Sequence, residues 1–164
     1  TRRNNIMAKK PTNLTVNEGA YGRSGFLHFD FNDLKTTGFL STGASGLMGA
    51  ANQIVLDVIE PGEFIEHLTA TVITAAAGDT DFTIDVGTGN HSTTDPDNLI
   101  DAEVLGGDAA STSLQGALTV TGANLTAANV GLLAEFGSLT AANLTAGEWI
   151  IAWKKAKSPL AYVS

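Results

Sequence analysis

Apolar residues come in short runs in this chain, each soon closed by glycine, proline, asparagine or aspartate, and that rhythm favours strands and turns over helices. Glycine occurs 18 times, while the long-chain helix formers Lys, Glu, Gln and Arg are sparse outside the two ends. In Phe26-Leu27-His28-Phe29-Asp30-Phe31 strict alternation sets Leu27, Phe29 and Phe31 on one face and Phe26, His28 and Asp30 on the other, which predicts a strand. Residues 36–51 are rich in Gly, Ser, Thr and Ala and read as a long surface loop. Residues 53–59 form a nearly continuous β-branched apolar run, closed by Glu60-Pro61-Gly62-Glu63, whose Pro-Gly pair suits the centre of a type II turn.

Alternation resumes over residues 64–74, and after residues 75–79 the chain returns through Phe82, Ile84 and Val86, which predicts an antiparallel hairpin. Asp95-Pro96-Asp97 offers an N-cap, a proline at the first helical position and an acid near the positive end of the helix dipole, so residues 96–105 are expected to form the one short helix. Leu125-Thr126-Ala127-Ala128-Asn129 recurs at residues 139–143, and the two copies read as similar loop and strand-edge segments around residues 130–136. Trp149-Ile150-Ile151-Ala152-Trp153 is apolar on both faces, hence a central, well-covered strand, and residues 160–163 can form a last one. About seven to ten short strands with turn residues between them predict an all-β, two-sheet β-sandwich of jelly-roll type. Residues 1–25 are expected to be an extended N-terminal arm, and residues 26–164 the sandwich domain. Met7-Ala8-Lys9-Lys10 reads as a natural translation start, which would make residues 1–6 a translated leader with Arg2-Arg3 as a ribosome-binding AGG-AGG.

The net charge of −8 conceals a sharper pattern. Residues 36–153 contain no Lys or Arg, yet hold fourteen of the seventeen acids. Every basic side chain belongs to the two ends: Arg2, Arg3, Lys9, Lys10, Arg23 and Lys35 on one side, Lys154, Lys155 and Lys157 on the other. Such a body repels nucleic acid, while the cationic ends are drawn to acidic surfaces over about a Debye length, ~8 Å at physiological salt. With no cysteine there is neither a disulfide framework nor a thiolate metal site, which fits folding in a reducing host cytoplasm. No apolar run reaches the roughly 20 residues that span a bilayer, and the basic N-terminus is not followed by a signal-peptide core, so no membrane partner is expected.

Patterns for chemistry are thin. A nucleophilic triad would have to draw on His28, His67 or His91; the first two sit in strand patterns, and no G-x-S-x-G elbow exists. No two histidines have zinc spacing, and Gly43, Gly46 and Gly49 lack the pattern of a phosphate loop. Asp79, Asp81 and Asp85 share a D-x-D-x3-D spacing with Asp95, Asp97 and Asp101, which calcium could use, although a solvent-facing strand side looks the same. Trp149, Trp153 and Tyr162 could stack on a sugar, but period-2 placement in an apolar strand favours the core. No enzyme activity and no cofactor are expected.

The order Glu60-Pro61-Gly62-Glu63-Phe64-Ile65, the alternating stretch 68–76, Phe82-Thr83-Ile84-Asp85-Val86-Gly87, Asp95-Pro96-Asp97 and Ala146-Gly147-Glu148-Trp149 resembles virion structural proteins of tailed phages, of the capsid decoration or cement type. The likeness runs over residues 50–155 and lies in turn chemistry and strand rhythm. It implies a β-sandwich that assembles, commonly as a homotrimer, on the exterior of a head, with the major capsid protein as partner; a tail or fibre adhesin with a carbohydrate-binding sandwich is the alternative. No catalytic residues transfer with it. Contacts to neighbours are expected from Arg2, Arg3, Lys9, Lys10, Phe26 and Phe29, with Lys154, Lys155 and Lys157 as weaker candidates.

Overall fold

A computed structural model describes residues 24–105, 113–115 and 128–157. Its strands are β1 (Ser24–Asp30), β2 (Gln53–Ile59), β3 (Glu63–Ala77), β4 (Thr83–Gly89), β5 (Ile100–Val104), β6 (Ser113–Gln115), β7 (Val130–Gly137) and β8 (Ala146–Lys157). They form two antiparallel sheets, ordered β1-β8-β3-β6 and β2-β7-β4-β5. The expected two-sheet, all-β sandwich is what the chain builds. Strand β1 pairs with β8, β2 with β7, β3 with β6 and β4 with β5, so the first half of the chain runs antiparallel to the second half folded back upon it. The arm residues before 24, the segment 160–163 and the first copy of the repeat up to residue 127 lie outside the described residues.

Alternation selects what goes between the sheets. Leu27 and Phe29 of β1, Leu68, Ala70 and Val72 of β3, and Trp149, Ile151 and Trp153 of β8 face inward against Leu132, Ala134 and Phe136 of β7 and Ile84 and Val86 of β4. Four aromatic rings tie the layers together: Phe29 stacks on Trp149 at 5.4 Å, Phe82 meets Trp149 edge-on at 5.5 Å, and Phe29 meets Phe136 edge-on at 5.6 Å. Each such pair contributes about 0.5–1.5 kcal/mol beyond its area burial.

Three local expectations are corrected. First, β1 ends at Asp30 rather than running on to Phe31, because Asp30 caps a one-turn helix, α1 (Phe31–Lys35). Its carboxylate accepts from the backbone of Asn32 and Asp33, and Asp33 accepts in return from the Asp30 amide at 3.0 Å. Second, residues 96–105 form no helix; Leu99 and Ile100 are buried, and residues 100–104 are the edge strand β5 paired with β4. The Asp-Pro-Asp signal is real turn chemistry, but long-range pairing outweighs a cap worth only ~1 kcal/mol. Third, β3 and β4 are not a hairpin, since they belong to opposite sheets. Between them Gly78 sits at φ +90, and a Cβ there would lie 1.9 Å from the Asn143 carbonyl oxygen. The crossing is pinned by Thr145 N donating to Ala77 O at 2.7 Å and Thr140 N donating to Asp79 Oδ2 at 2.6 Å.

Two substitutions test this architecture in urea unfolding. Phe29→Ala should cost about 3–5 kcal/mol, as a large aromatic lost from a fully packed core does. Gly78→Ala should cost at least ~2 kcal/mol, because both the positive φ and the backbone contact oppose a methyl group. A loss below ~1 kcal/mol in either would mean that the site is not packed as described.

Candidate functional site

The two sheets differ in what covers their outer faces. On the first sheet, cross-strand register lays out a row of Phe26, Ala152 and Thr69 and beside it a row of His28, Ile150 and Thr71. All but the exposed His28 are half-buried, and Ile73 beyond them is 42% exposed. Polar pairs close the two ends. His28 Nε2 lies 2.6 Å from Glu148 Oε1, with Thr74 Oγ1 donating to the other carboxylate oxygen at 3.3 Å. At the opposite end Lys154 Nζ meets Glu66 Oε2 at 2.7 Å. An apolar and threonine-rich strip with a charged rim is the ordinary make-up of a protein contact surface.

The sequence-derived contact residues separate into three groups. Arg2, Arg3, Lys9 and Lys10 lie outside the described residues. Phe26 and Lys154 do stand on the outer face of the first sheet, and Lys157 is exposed, 3.7 Å from Glu60. Phe29 and Lys155 are corrected. Phe29 is fully enclosed among Trp149, Phe136 and Phe39, and Lys155 is 3% exposed between the sheets, so neither side chain is offered to a neighbour. Trp149 and Trp153 are buried as well, which removes them from any sugar-stacking platform. Lys155 could have been placed from sequence, because Trp149, Ile151 and Trp153 share its period-2 face.

Loops close the outer face of the second sheet. Gln53, fully buried, lies in one cross-strand row with Glu135 and Asp85. Its amide nitrogen donates to Glu135 Oε2 at 2.6 Å and to the Thr93 carbonyl at 3.3 Å, while its oxygen accepts from Gly49 N at 2.9 Å and Ala50 N at 3.2 Å. One side chain therefore ties the 41–52 and 90–98 loops to the sheet. Gly87 permits the second loop to lie so close, since a Cβ there would come 2.7 Å from the Pro96 carbonyl. No motif in the sequence marks Gln53; only its position at the start of a two-faced apolar run hints that it is covered.

Burial raises the pKa of Asp85; the Ala102 amide hydrogen bond partly offsets the rise, and repulsion from Asp95, Asp101 and Asp97 adds to it. Glu135 is raised by burial too, opposed by its hydrogen bond from Gln53 and reinforced by Asp95 and Asp85. Among the described residues no three His, Asp or Glu side chains converge as a metal site. Asp79 is occupied as a cap for Thr140 and Asp85 by Ala102, so the shared D-x-D-x3-D spacing does not become a shared site.

No family model matches the sequence, and no curated protein matches it. Among solved structures the chain shares its fold with a chain of the cyanophage Pam1 capsid asymmetric unit, at 14% identity over 97% of this chain and 98% of that one, with a TM-score of 0.50. A chain of the capsid of Ralstonia phage GP4 is similar over 88% of this chain and 91% of its own, at 18% identity and a TM-score of 0.47.

Because Asp85 and Glu135 bind protons more tightly when folded than when unfolded, stability falls as pH rises from the ordinary carboxylate value to their raised ones. The penalty is absent below the ordinary carboxylate value and grows through that window. Asp85→Asn and Glu135→Gln keep an oxygen acceptor for Ala102 N and Gln53 while removing the charge, so each should raise the melting temperature at pH 7 and flatten its decline as pH rises above the ordinary carboxylate range. An unchanged pH profile in the double variant would show that these carboxylates do not set it.

Proposed function

We propose that this chain is a non-catalytic structural protein of a tailed-phage virion that decorates the exterior of the head, bound to the major capsid protein. What carries this reading is the likeness in fold, over nearly the whole of both chains, to a chain of the cyanophage Pam1 capsid asymmetric unit. The strand pairing of 1 with 8, 2 with 7, 3 with 6 and 4 with 5 supports reading the sandwich as an eight-stranded jelly roll, an architecture common among viral capsid domains.

The chemistry of the surface favours the same role. A body without Lys or Arg from residue 36 to 153 disfavours nucleic acid as a partner and keeps closely spaced copies from aggregating. The half-exposed strip of Phe26, Ile150, Thr69 and Thr71 is the contact face, and Arg2, Arg3, Lys9, Lys10, Lys154 and Lys157 supply attraction to acidic patches on the shell. Copies meet as a homotrimer, in which each protomer's strip is shared between the shell and the next copy.

Purified chain mixed with shells that lack it should bind saturably, at many copies per particle counted by mass spectrometry. Phe26→Asp combined with Ile150→Asp should weaken binding at least ~10-fold, equivalent to ~1.4 kcal/mol, without altering the folded spectrum. Deletion of residues 8–25 should abolish binding, and the wild-type chain should bind more weakly as salt rises. Wild-type affinity in the double variant would place the contact elsewhere, and no binding to any shell would sink the decoration role.

A further inference from the structure

We propose that Lys155 and Asp57 react with each other to form an intramolecular amide bond that joins the two sheets covalently, with Glu63 as the proton carrier. The three side chains meet between the sheets at one end of the sandwich. Lys155 Nζ lies 3.2 Å from Asp57 Oδ1 and 3.4 Å from Glu63 Oε2, with side-chain exposures of 4%, 11% and 4% respectively. They come from β8, β2 and β3, and Asp57 stands 98 residues from Lys155 in sequence.

The placement is built by the backbone rather than by flexible side chains. Lys155 continues the inward period of Trp149, Ile151 and Trp153. Asp57 is turned inward by a β-bulge between Val55 and Asp57, which sets it opposite the core residue Leu132. Glu63 is 3% exposed on the inward face of β3, its Oε2 held by the Glu60 amide at 2.8 Å. The Asp57 carboxylate is fixed at its other oxygen, where Trp153 Nε1 donates at 2.8 Å, and Lys155 is steadied by the Val58 carbonyl at 2.7 Å.

Held so, nucleophile and acyl group lie side by side, with Lys155 Nζ 3.2 Å from the carboxylate oxygen Oδ1, which replaces a bimolecular encounter by an intramolecular one. The step balances without a co-reactant. Lys155 Nζ passes a proton to Glu63, and its lone pair then attacks Asp57 Cγ. The negative charge that grows on Oδ2 is met by the Trp153 N–H, which serves as the oxyanion donor. Glu63 delivers its proton to Oδ1, the second Nζ proton follows by the same path, and the Cγ–Oδ1 bond breaks to release water. The product is Lys155 Nζ–H bonded to Asp57 Cγ=Oδ2, with Glu63 again a carboxylate. Nothing is oxidised or reduced.

The test is the intact mass of the full purified chain under denaturing conditions, after prolonged incubation in the folded state. We expect a mass lower than the sequence mass by one water, and a protease digest in which the peptides containing residues 57 and 155 remain joined. Lys155→Met and Asp57→Ala should show their full calculated masses. Glu63→Gln keeps an acceptor for the Glu60 amide, so it should fold and bring Lys155 against Asp57 yet form the bond at least ~100-fold more slowly, as general acid–base catalysis allows. A wild-type chain of full mass with a reactive Lys155 amine overturns the proposal. So does a bond traced to Glu63 in place of Asp57, or a Glu63→Gln chain that links at the wild-type rate.

Discussion

Trp149 is held between Phe29 of its own sheet and Phe82 at the head of a strand of the other, and the rest of the molecule is arranged around that contact. The indole N–H finds no hydrogen-bond partner among the described residues. A buried, unsatisfied donor costs about 1–3 kcal/mol, a smaller term than the roughly 3–5 kcal/mol lost when such a ring is removed. The fold thus accepts a polar defect to keep its largest side chain at the centre. Since Trp149 lies on β8, flanked by β1 and β3, the strands that carry the open outer face are the same ones that the aromatic contact holds in register.

That arrangement makes the two faces unequal. On the second sheet the apolar residues of β2 and β7 are buried or half-buried except for Val58, and Gln53 draws two loops over Leu133 and Glu135. On the first sheet β8 alternates between buried and half-exposed positions along its length. Among the described residues one face is closed by the chain's own loops and the other is not, which makes the latter the broader surface to offer a partner. The charged cost of closure falls on Asp85 and Glu135, whose carboxylates are desolvated beneath the loops, while the end of the sandwich where Lys155 lies compensates its buried acids with a cation.

Much of this was legible in the residues. Alternation in 26–30 separated Leu27 and Phe29 from Phe26 and His28, the Pro-Gly pair at 61–62 named a turn in which Gly62 does adopt φ 81, and the apolar runs 53–59 and 149–153 named strands, although the second, read as covered on both faces, alternates between buried and half-buried positions. The same rule, carried two residues further, would have placed Lys155 inward. Asp57 could not have been placed, because the bulge before it breaks the period. Nor could the contact role given to Phe29 survive, since an alternating strand says that Phe26 and Phe29 lie on opposite faces but not which face is covered.

The sequence by itself determined the class of fold, which side chains of a strand share a face and the electrostatic division between an acidic body and basic ends, because period, turn chemistry and charge are local or additive properties of the chain. Only the tertiary structure decided that β3 and β4 part to opposite sheets, that 100–104 is a strand, and that Asp57, Glu63 and Lys155 meet. Period 2 assigns a side chain to a face; it carries no information about which strand lies alongside, and a single bulge or a glycine crossing changes the neighbour without altering the pattern.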